Sequence, residues 1–523
     1  MSTKLKKKRR SVSERVATGL AAFIDWFIWT VDVGPSMHRI FLAPNIGNFR
    51  VEMGKIRAVR LYRHAAKKVP AYKDFLKKHD FAGPYITTSE VTLNDLPEMD
   101  KASYIKPYSL VDKLYDAKLP KTGIMFDESS GSSGTPTSWV RGRKERRFTQ
   151  RIMQVAFREY IDKRSPIVIN TFSMGAWATG LNTTISLLGV GRVKSIGPDI
   201  RKVIDTLNEL GNDFDYAIAG YPPFLKQLAD SKEIDWSKFR ISAIYGGEGI
   251  SEAMRDTLLE KYSDVVGSYG ASDLEINIGH ETPFSIALRK AIIQDKGLRE
   301  ALLKQNRGII PMIFQYNPYD YLMETNEKGE LVITICRLQN LSPRIRYNIH
   351  DLGHVMDFYE LKKTLKAHGH ADLLKRAELD FAVMFHYGRS DLSVDYNGAV
   401  VGPEEVKQIV NSKREYADRI EGFRLISYED AEAHKHLLIA IELEEGAKMP
   451  KADSDALLAH IVASLQDSNL DFKSAHRTSP LKPELRVYEY HTGIFDAQHQ
   501  KLKNDYVWNI DHKRAVDEGI LKK

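Results

Sequence analysis

From Ser129 to Thr137 the chain reads Ser-Ser-Gly-Ser-Ser-Gly-Thr-Pro-Thr, with seven Gly, Ser or Thr residues before Pro136. Glycines leave backbone N–H groups unshielded in tight turns and the hydroxyls add donors, so this composition suits an anion cradle, for phosphate above all. The run lacks the Gly-Lys-Ser/Thr ending of a P-loop, which argues against a P-loop NTPase. Alone, it is equally the composition of a plain flexible loop, so its meaning depends on what accompanies it.

Four segments do accompany it, in order: Tyr245-Gly-Gly-Glu-Gly249, Ser268-Tyr-Gly-Ala-Ser-Asp273, Arg344-Ile-Arg-Tyr-Asn-Ile-His-Asp351 and Tyr387-Gly-Arg-Ser-Asp391. Order and spacing resemble the adenylate-forming ligase superfamily over roughly residues 50 to 510, with five modest motifs in register rather than one strong one. The Thr-Pro-Thr ending of the serine/glycine loop resembles most closely the phenylacetate-CoA ligase-like branch.

That resemblance implies roles position by position. Ser130, Gly131, Ser132, Ser133, Gly134 and Thr135 would grip the β- and γ-phosphates of ATP. Gly246, Gly247 and Glu248 would shape the adenine pocket, Tyr269 beside Gly270 would stack on the base, and Ser272 would meet the α-phosphate. Asp351, assisted by Arg389, would hold the ribose hydroxyls. A carboxylate pairs well with two hydroxyls and an aromatic face suits a purine, although each residue alone reads equally as a turn or core position. The magnesium ligand, usually Glu in the family, is Asp273 here, with Glu275 as the alternative. Cys336 is the only thiol, so the Cys-rich zinc site of some relatives is excluded. His280, Glu281 and His350 read as ordinary hydrogen-bonded residues rather than metal ligands.

In the resembled family an aromatic and glycine segment following a strand lines the acid pocket. The counterpart here contains Phe172, Met174, Gly175 and Trp177, with Tyr221-Pro-Pro-Phe224 as a second wall, and ordinary core packing is the competing reading. The family's small domain pivots near the position of Asp391 and delivers a lysine to the carboxylate and α-phosphate. Lys501 is the first candidate and Lys503 the second; Gln500 stands where a glycine is usual, and a surface Lys-x-Lys pair is the plain alternative.

These residues need a scaffold that holds them at one place. Ile167-Val-Ile, Tyr216-Ala-Ile-Ala, Ile241 to Tyr245 and Val265 to Tyr269 read as buried strands alternating with helical stretches, which predicts an α/β fold with sites at the strand ends. Gly329 to Thr334 reads as a further strand, while Leu437 to Leu443 and Leu485 to Tyr490 flank a helical Ser454 to Leu470, a separate small α+β unit. The expected organisation is a basic tail and apolar helix over 1–45, a large multi-subdomain ATP- and acid-binding domain with central β-sheets covered by helices over 46–390, and a small mobile α+β C-terminal domain over 391–523. Phe284 to Arg307 and Tyr359 to Ala382 read as helical, charged inserts for packing or a homodimer contact.

At 523 residues, 43% apolar and 28% charged, the chain has the composition of a soluble multi-domain protein, and one cysteine favours a reducing, cytoplasmic setting. Of the formal charge of +7, six units come from Lys4, Lys6, Lys7, Lys8, Arg9 and Arg10, so the rest is nearly neutral and no nucleic-acid partner is expected. Val16 to Val31 is apolar but too short to span a bilayer, and Asp25 with no A-x-A-like site argues against a signal peptide. Two readings stay open: peripheral membrane contact, or a solvated tail before a helix packed on its own domain. The activity implied by the resemblance is ATP- and Mg2+-dependent formation of an acyl-adenylate from a small carboxylic acid, followed by transfer to CoA. Transfer to an amine, carrier protein or cofactor, or a nucleotide-binding protein without turnover, are the alternatives.

Overall fold

A computed structural model of the chain describes residues 12–30, 46–81, 93–129, 137–161, 165–250, 252–303, 310–389, 393–432, 434–496 and 506–521. Its centre is an eleven-stranded sheet made of two unlike halves. One half is parallel: Asp264–Tyr269, Arg240–Gly246, Asp215–Gly220, Ile167–Asn170 and Arg192–Ser195 lie side by side in that order. The first four of these are the strands expected from their apolar runs. Ile167–Asn170 is buried along its whole length, as a strand covered by helices on both faces must be. The other half is antiparallel and includes Tyr347–Met356 paired with Ala382–Arg389, in a register that sets Asp351 opposite Arg389.

Local chemistry sets the helix starts. Asp199 accepts from the backbone N–H of Lys202 at 3.0 Å to open Ile200–Leu210, and Thr282 caps Pro283–Gln294 by accepting from Ser285 N at 3.1 Å. The helical inserts Pro283–Gln294, Lys296–Leu302 and Phe358–Ala367 close on one another over Phe284, Leu288, Leu361 and Leu365, all buried. They form their own packed layer on the antiparallel half.

The small unit has a separate core. Its four-stranded sheet runs Glu484–Tyr488, Lys435–Leu443, Ile420–Glu429, Val507–Ile510, backed by helices Lys451–Ser468 and Leu470–Thr478. A short hairpin, Val394–Tyr396 with Ala399–Val401, precedes it.

The N-terminal helix α1 (Val12–Thr30) packs on helix α2 (Gly47–Lys68) through charge. Asp25 pairs with Arg60 at 2.8 Å and Arg57 at 3.0 Å, and Glu14 pairs with Arg63 at 2.8 Å. The helix is therefore packed on its own domain. No helix among the described residues is long and apolar enough to cross a membrane.

Candidate functional site

Parallel strands of one sheet end on the same edge, so the residues that follow them converge whatever their distance in sequence. Here that edge receives the Thr171–Gly180 segment after Asn170, Tyr221 after Gly220, Gly247 and Glu248 after Gly246, and the Gly270–Asp273 turn after Tyr269. A cavity of about 1240 Å3 opens there and continues to the small domain. Its wall includes Trp177, Tyr221, Gly247, Glu248, Tyr269, Gly270, Ser272, Asp273 and Asp351 among the residues expected from sequence.

Tyr269 and Asp351 are joined directly. The Tyr269 hydroxyl donates to Asp351 Oδ2 at 2.7 Å, and His386 Nε2 lies 3.2 Å from the same oxygen. The strand pairing that faces Asp351 with Arg389 also brings His386 next to Gly353, which is how a histidine 35 positions away in sequence reaches this carboxylate. His386 was not singled out from sequence; it sits just before the Tyr387-Gly-Arg segment, and only the cross-strand register reveals its partner. The Arg389 backbone ends its strand beside Asp351.

Two arginines hold the Ser268–Asp273 turn by its backbone carbonyls. Arg141 donates to the Ser272 carbonyl at 2.5 Å and Arg344 to the Asp273 carbonyl at 2.8 Å, both guanidiniums buried. Arg141 belongs to the hairpin Ile124–Ser129/Thr137–Gly142, whose register closes Ser129 onto Thr137. That hairpin is the stem of the serine/glycine loop, so one side chain clamps the stem to the turn. Ser130, Gly131, Ser132, Ser133, Gly134 and Thr135 themselves lie outside the described residues, as do Asp391, Lys501 and Lys503. Two glycines in this region have steric reasons. A Cβ on Gly247, at φ +89°, would sit 2.7 Å from the Tyr221 ring, and one on Gly270 would meet the backbone N of Asn277 at 2.6 Å.

The two magnesium candidates separate. Asp273 lines the cavity, with Oδ2 accepting from the Tyr347 hydroxyl at 3.0 Å. Glu275 does not line it: its carboxylate binds Arg337, accepts from Tyr321 at 2.9 Å and from Asn340 at 3.0 Å, and is buried. Burial alone would raise its pKa, but Arg337 together with Arg141 and the Tyr321 hydroxyl more than offsets burial and holds it below its ordinary value. Glu275 is a structural anchor, and the alternative magnesium assignment fails for that reason. His280 and Glu281 are likewise internal. Burial pushes His280 down to about 4, and Glu281 holds Arg255 at 2.5 Å.

The expected acid pocket divides in the same way. Trp177 and Tyr221 line the cavity; Phe172 stands behind, edge-on to Tyr221 with ring centroids 5.1 Å apart. Met174 and Gly175 are not part of the wall: Gly175 is an exposed turn glycine at φ +95° and Met174 packs toward Gly180 and Gly197. Phe224, expected with Tyr221 in the second wall, lines the cavity too, and Gln227 joins it from the same helix, which Tyr221 starts. Lys101 and Lys106 line it too, and no sequence pattern marks them.

The small domain supplies the opposite wall. Gly398, at the tip of its hairpin, approaches Tyr221, and Asp395 in the same hairpin abuts Glu248. Lys435 donates to Glu248 Oε2 at 2.7 Å, while Glu248 Oε1 finds no donor among ionised neighbours. A proton on Asp395 answers that need. Burial, then the neighbouring Glu248, pushes Asp395 well above the carboxylate range. Burial also acts to raise Glu248, but Lys435 and the bond from Asp395 bring it below its ordinary value. A second contact joins His434 to Lys226 at 3.2 Å and Asp230 at 3.3 Å. Asp471, at the start of Leu470–Thr478, faces the cavity and is pushed up to about 6 by burial.

No protein-family model matches the chain, and no curated protein matches it in sequence. Solved structures do. A 2-hydroxyisobutyryl-CoA ligase, crystallised with 2-HIB-AMP and CoA in the thioesterification state, aligns over 90% of this chain and 92% of its own at 13% identity and a TM-score of 0.60. The same enzyme in the postadenylation state with R3-HIB-AMP aligns over 91% and 93%, at 13% identity and a TM-score of 0.50. This is the adenylate-forming ligase fold. In that fold the Tyr245–Gly249, Ser268–Asp273 and Arg344–Asp351 motifs sit around one cavity or clamp its floor.

Proposed function

We propose that the protein activates a small carboxylic acid with ATP and passes the acyl group to a nucleophile, CoA in the first instance. A carboxylate oxygen bonds to the α-phosphorus as the bond to the β-phosphate oxygen breaks, releasing pyrophosphate. The acceptor then bonds to the acyl carbon as AMP leaves. The observation that carries this reading is the Tyr269–Asp351 pair, set at the strand-end edge of a cavity whose far side is the small domain. At about 1240 Å3 the cavity exceeds the usual few hundred to 1,000 Å3 of a one-ligand site, which suits a nucleotide, an acid and an acceptor together.

Asp351 would take the ribose hydroxyls with Arg389 beside it, Gly247, Glu248 and Tyr269 the adenine, and Ser272 with residues 130–135 the phosphates. Asp273 fits a magnesium ion, being a hard carboxylate at the cavity wall that accepts from the Tyr347 hydroxyl while the Arg344 guanidinium is held on its backbone carbonyl. The ion would offset phosphate charge. Lys501, with Lys503 as the alternative, is our assignment for the lysine reaching the reacting carboxylate, and Asp391 for the pivot. Trp177, Tyr221 and Phe224 favour an apolar or aromatic acid.

The arrangement described here suits the transfer half of the reaction. The small-domain hairpin lies against Tyr221 and Glu248, and the better alignment is with the thioester-forming state. An amine, a carrier-protein thiol or a cofactor remains the alternative acceptor. The sole thiol, Cys336, is buried and pushed up to about 12 by burial, in keeping with chemistry that needs no enzyme nucleophile and with a cytoplasmic setting.

ATP–pyrophosphate exchange tests this, with magnesium and a panel of aryl, arylacetic, short-chain and long-chain acids and no acceptor. Exchange driven by one acid class is expected; ATP binding with no exchange for any acid would overturn the proposal.

A further inference from the structure

The helix α1 is amphipathic in an inverted sense. Its acidic residues face its own protein: Glu14 and Asp25 are each only 5% exposed and are spent on Arg63, Arg57 and Arg60 of α2. Four of its large apolar residues face outward. Val16 is 66% exposed, Leu20 44%, Phe23 57% and Trp26 58%. Their spacing of four, three and three places them on one stripe of the helix, and Phe23 and Trp26 lie ring to ring at 5.9 Å.

A surface helix in water normally does the reverse, turning apolar residues inward where their burial stabilises the fold. Here buried ion pairs, which must offset the desolvation of both partners, fix the helix so that its apolar side is presented. The stripe covers about ten residues, roughly 15 Å of helix, half a hydrocarbon core in length. It suits lying flat in the headgroup region, where Trp and Phe are favoured. Immediately before it in sequence come Lys4, Lys6, Lys7, Lys8, Arg9 and Arg10, with no acidic residue among the first ten. An apolar stripe adjoined by six positive charges is complementary to one kind of surface, an anionic phospholipid bilayer.

We propose that α1 docks the protein on such a bilayer, with Val16, Leu20, Phe23 and Trp26 inserted at the interface and the basic segment held to the anionic headgroups. Because the opposite face of α1 is clamped to α2, the large domain is carried to the surface with it.

Flotation of the full chain with vesicles of phosphatidylcholine, alone or mixed with phosphatidylserine, tests this. The protein is expected to float with the mixed vesicles and to be released as salt is raised. The double variant Phe23→Ser, Trp26→Ser is expected to bind at least about tenfold more weakly with an unchanged melting temperature, since both side chains are exposed. Replacing the six tail cations by Gln is expected to remove the preference for phosphatidylserine. The proposal fails if the unaltered chain does not float with anionic vesicles, or if the double variant floats as well as the unaltered chain. It fails equally if the stripe instead supports a dimer that the double variant dissociates, with no vesicle binding, because the occupant is then a second copy.

Discussion

The two walls of the cavity are built on opposite principles. On the large-domain side, the Ser268–Asp273 turn and the stem of the serine/glycine loop are clamped by buried arginines, and Glu275 with Arg337 and Tyr321 forms a closed ionic core beneath them. On the small-domain side, contact rests on Lys435 and Asp395 at Glu248 and on His434 between Lys226 and Asp230. Removing one partner from a buried pair leaves an uncompensated charge, whereas separating an interface lets water replace what is lost. On the proposed reaction the first wall stays in place and the second detaches, as a site needs when it holds one nucleotide through two steps and changes what faces it.

Substitutions can break or sharpen that contrast. The largest effect is expected from Glu275→Ala, which strands Arg337 in the core: a loss of about 3–5 kcal/mol in unfolding free energy, read by denaturant melts. A loss under about 1 kcal/mol would show that the floor of the site is not held this way. Next, Asp351→Ala is expected to lower acid-dependent pyrophosphate exchange roughly hundredfold, with a melting temperature close to that of the unaltered protein. Exchange within a fewfold of normal would remove Asp351 from the nucleotide site.

On the detachable wall, Lys435→Ala is expected to slow acyl transfer roughly tenfold while leaving exchange nearly unchanged. Equal losses in both half-reactions would make Lys435 part of the rigid site. The same interface carries a pH dependence whose sign follows from Asp395. Its pKa is raised in the closed arrangement, so closure binds a proton; the stabilisation is present at low pH and is lost as pH rises through the raised value. Distance measurements between dye-labelled domains are expected to show opening at higher pH, and Asp395→Asn, a permanent neutral donor, is expected to flatten that response. The smallest effect is expected at Asp471, which ionises near 6 and faces the cavity from the small domain. Transfer in Asp471→Asn is expected to fall a fewfold and to lose any rise in rate centred near pH 6, the signature of a group accepting the acceptor's proton.

Much of the scaffold was legible in the sequence because buried parallel strands are short continuous apolar runs, and Ile167–Asn170, Asp215–Gly220, Arg240–Gly246 and Asp264–Tyr269 are of that kind. Residues directly after them, such as Tyr221, Glu248 and Asp273, were therefore readable as wall positions. What failed were side chains whose direction is decided by neighbours distant in sequence. Glu275 lies two residues from Asp273 yet turns inward, because Arg337, Tyr321 and Asn340 satisfy it there. Met174 and Gly175 sit within the right segment but on the wrong side of its turn, and His386 joins Asp351 only through a strand register.

The sequence by itself determined the strand and helix alternation, the order of the five motifs, the separate small unit and the basic segment ahead of α1, since each depends on local composition and periodicity. Tertiary structure alone decided which carboxylate lines the cavity, which arginines clamp its turns, that Asp395 and Lys435 meet Glu248, and that α1 turns Phe23 and Trp26 outward. Those outcomes depend on the desolvation of charged groups and on the partners that compensate it, and both are set by elements brought together from opposite ends of the chain.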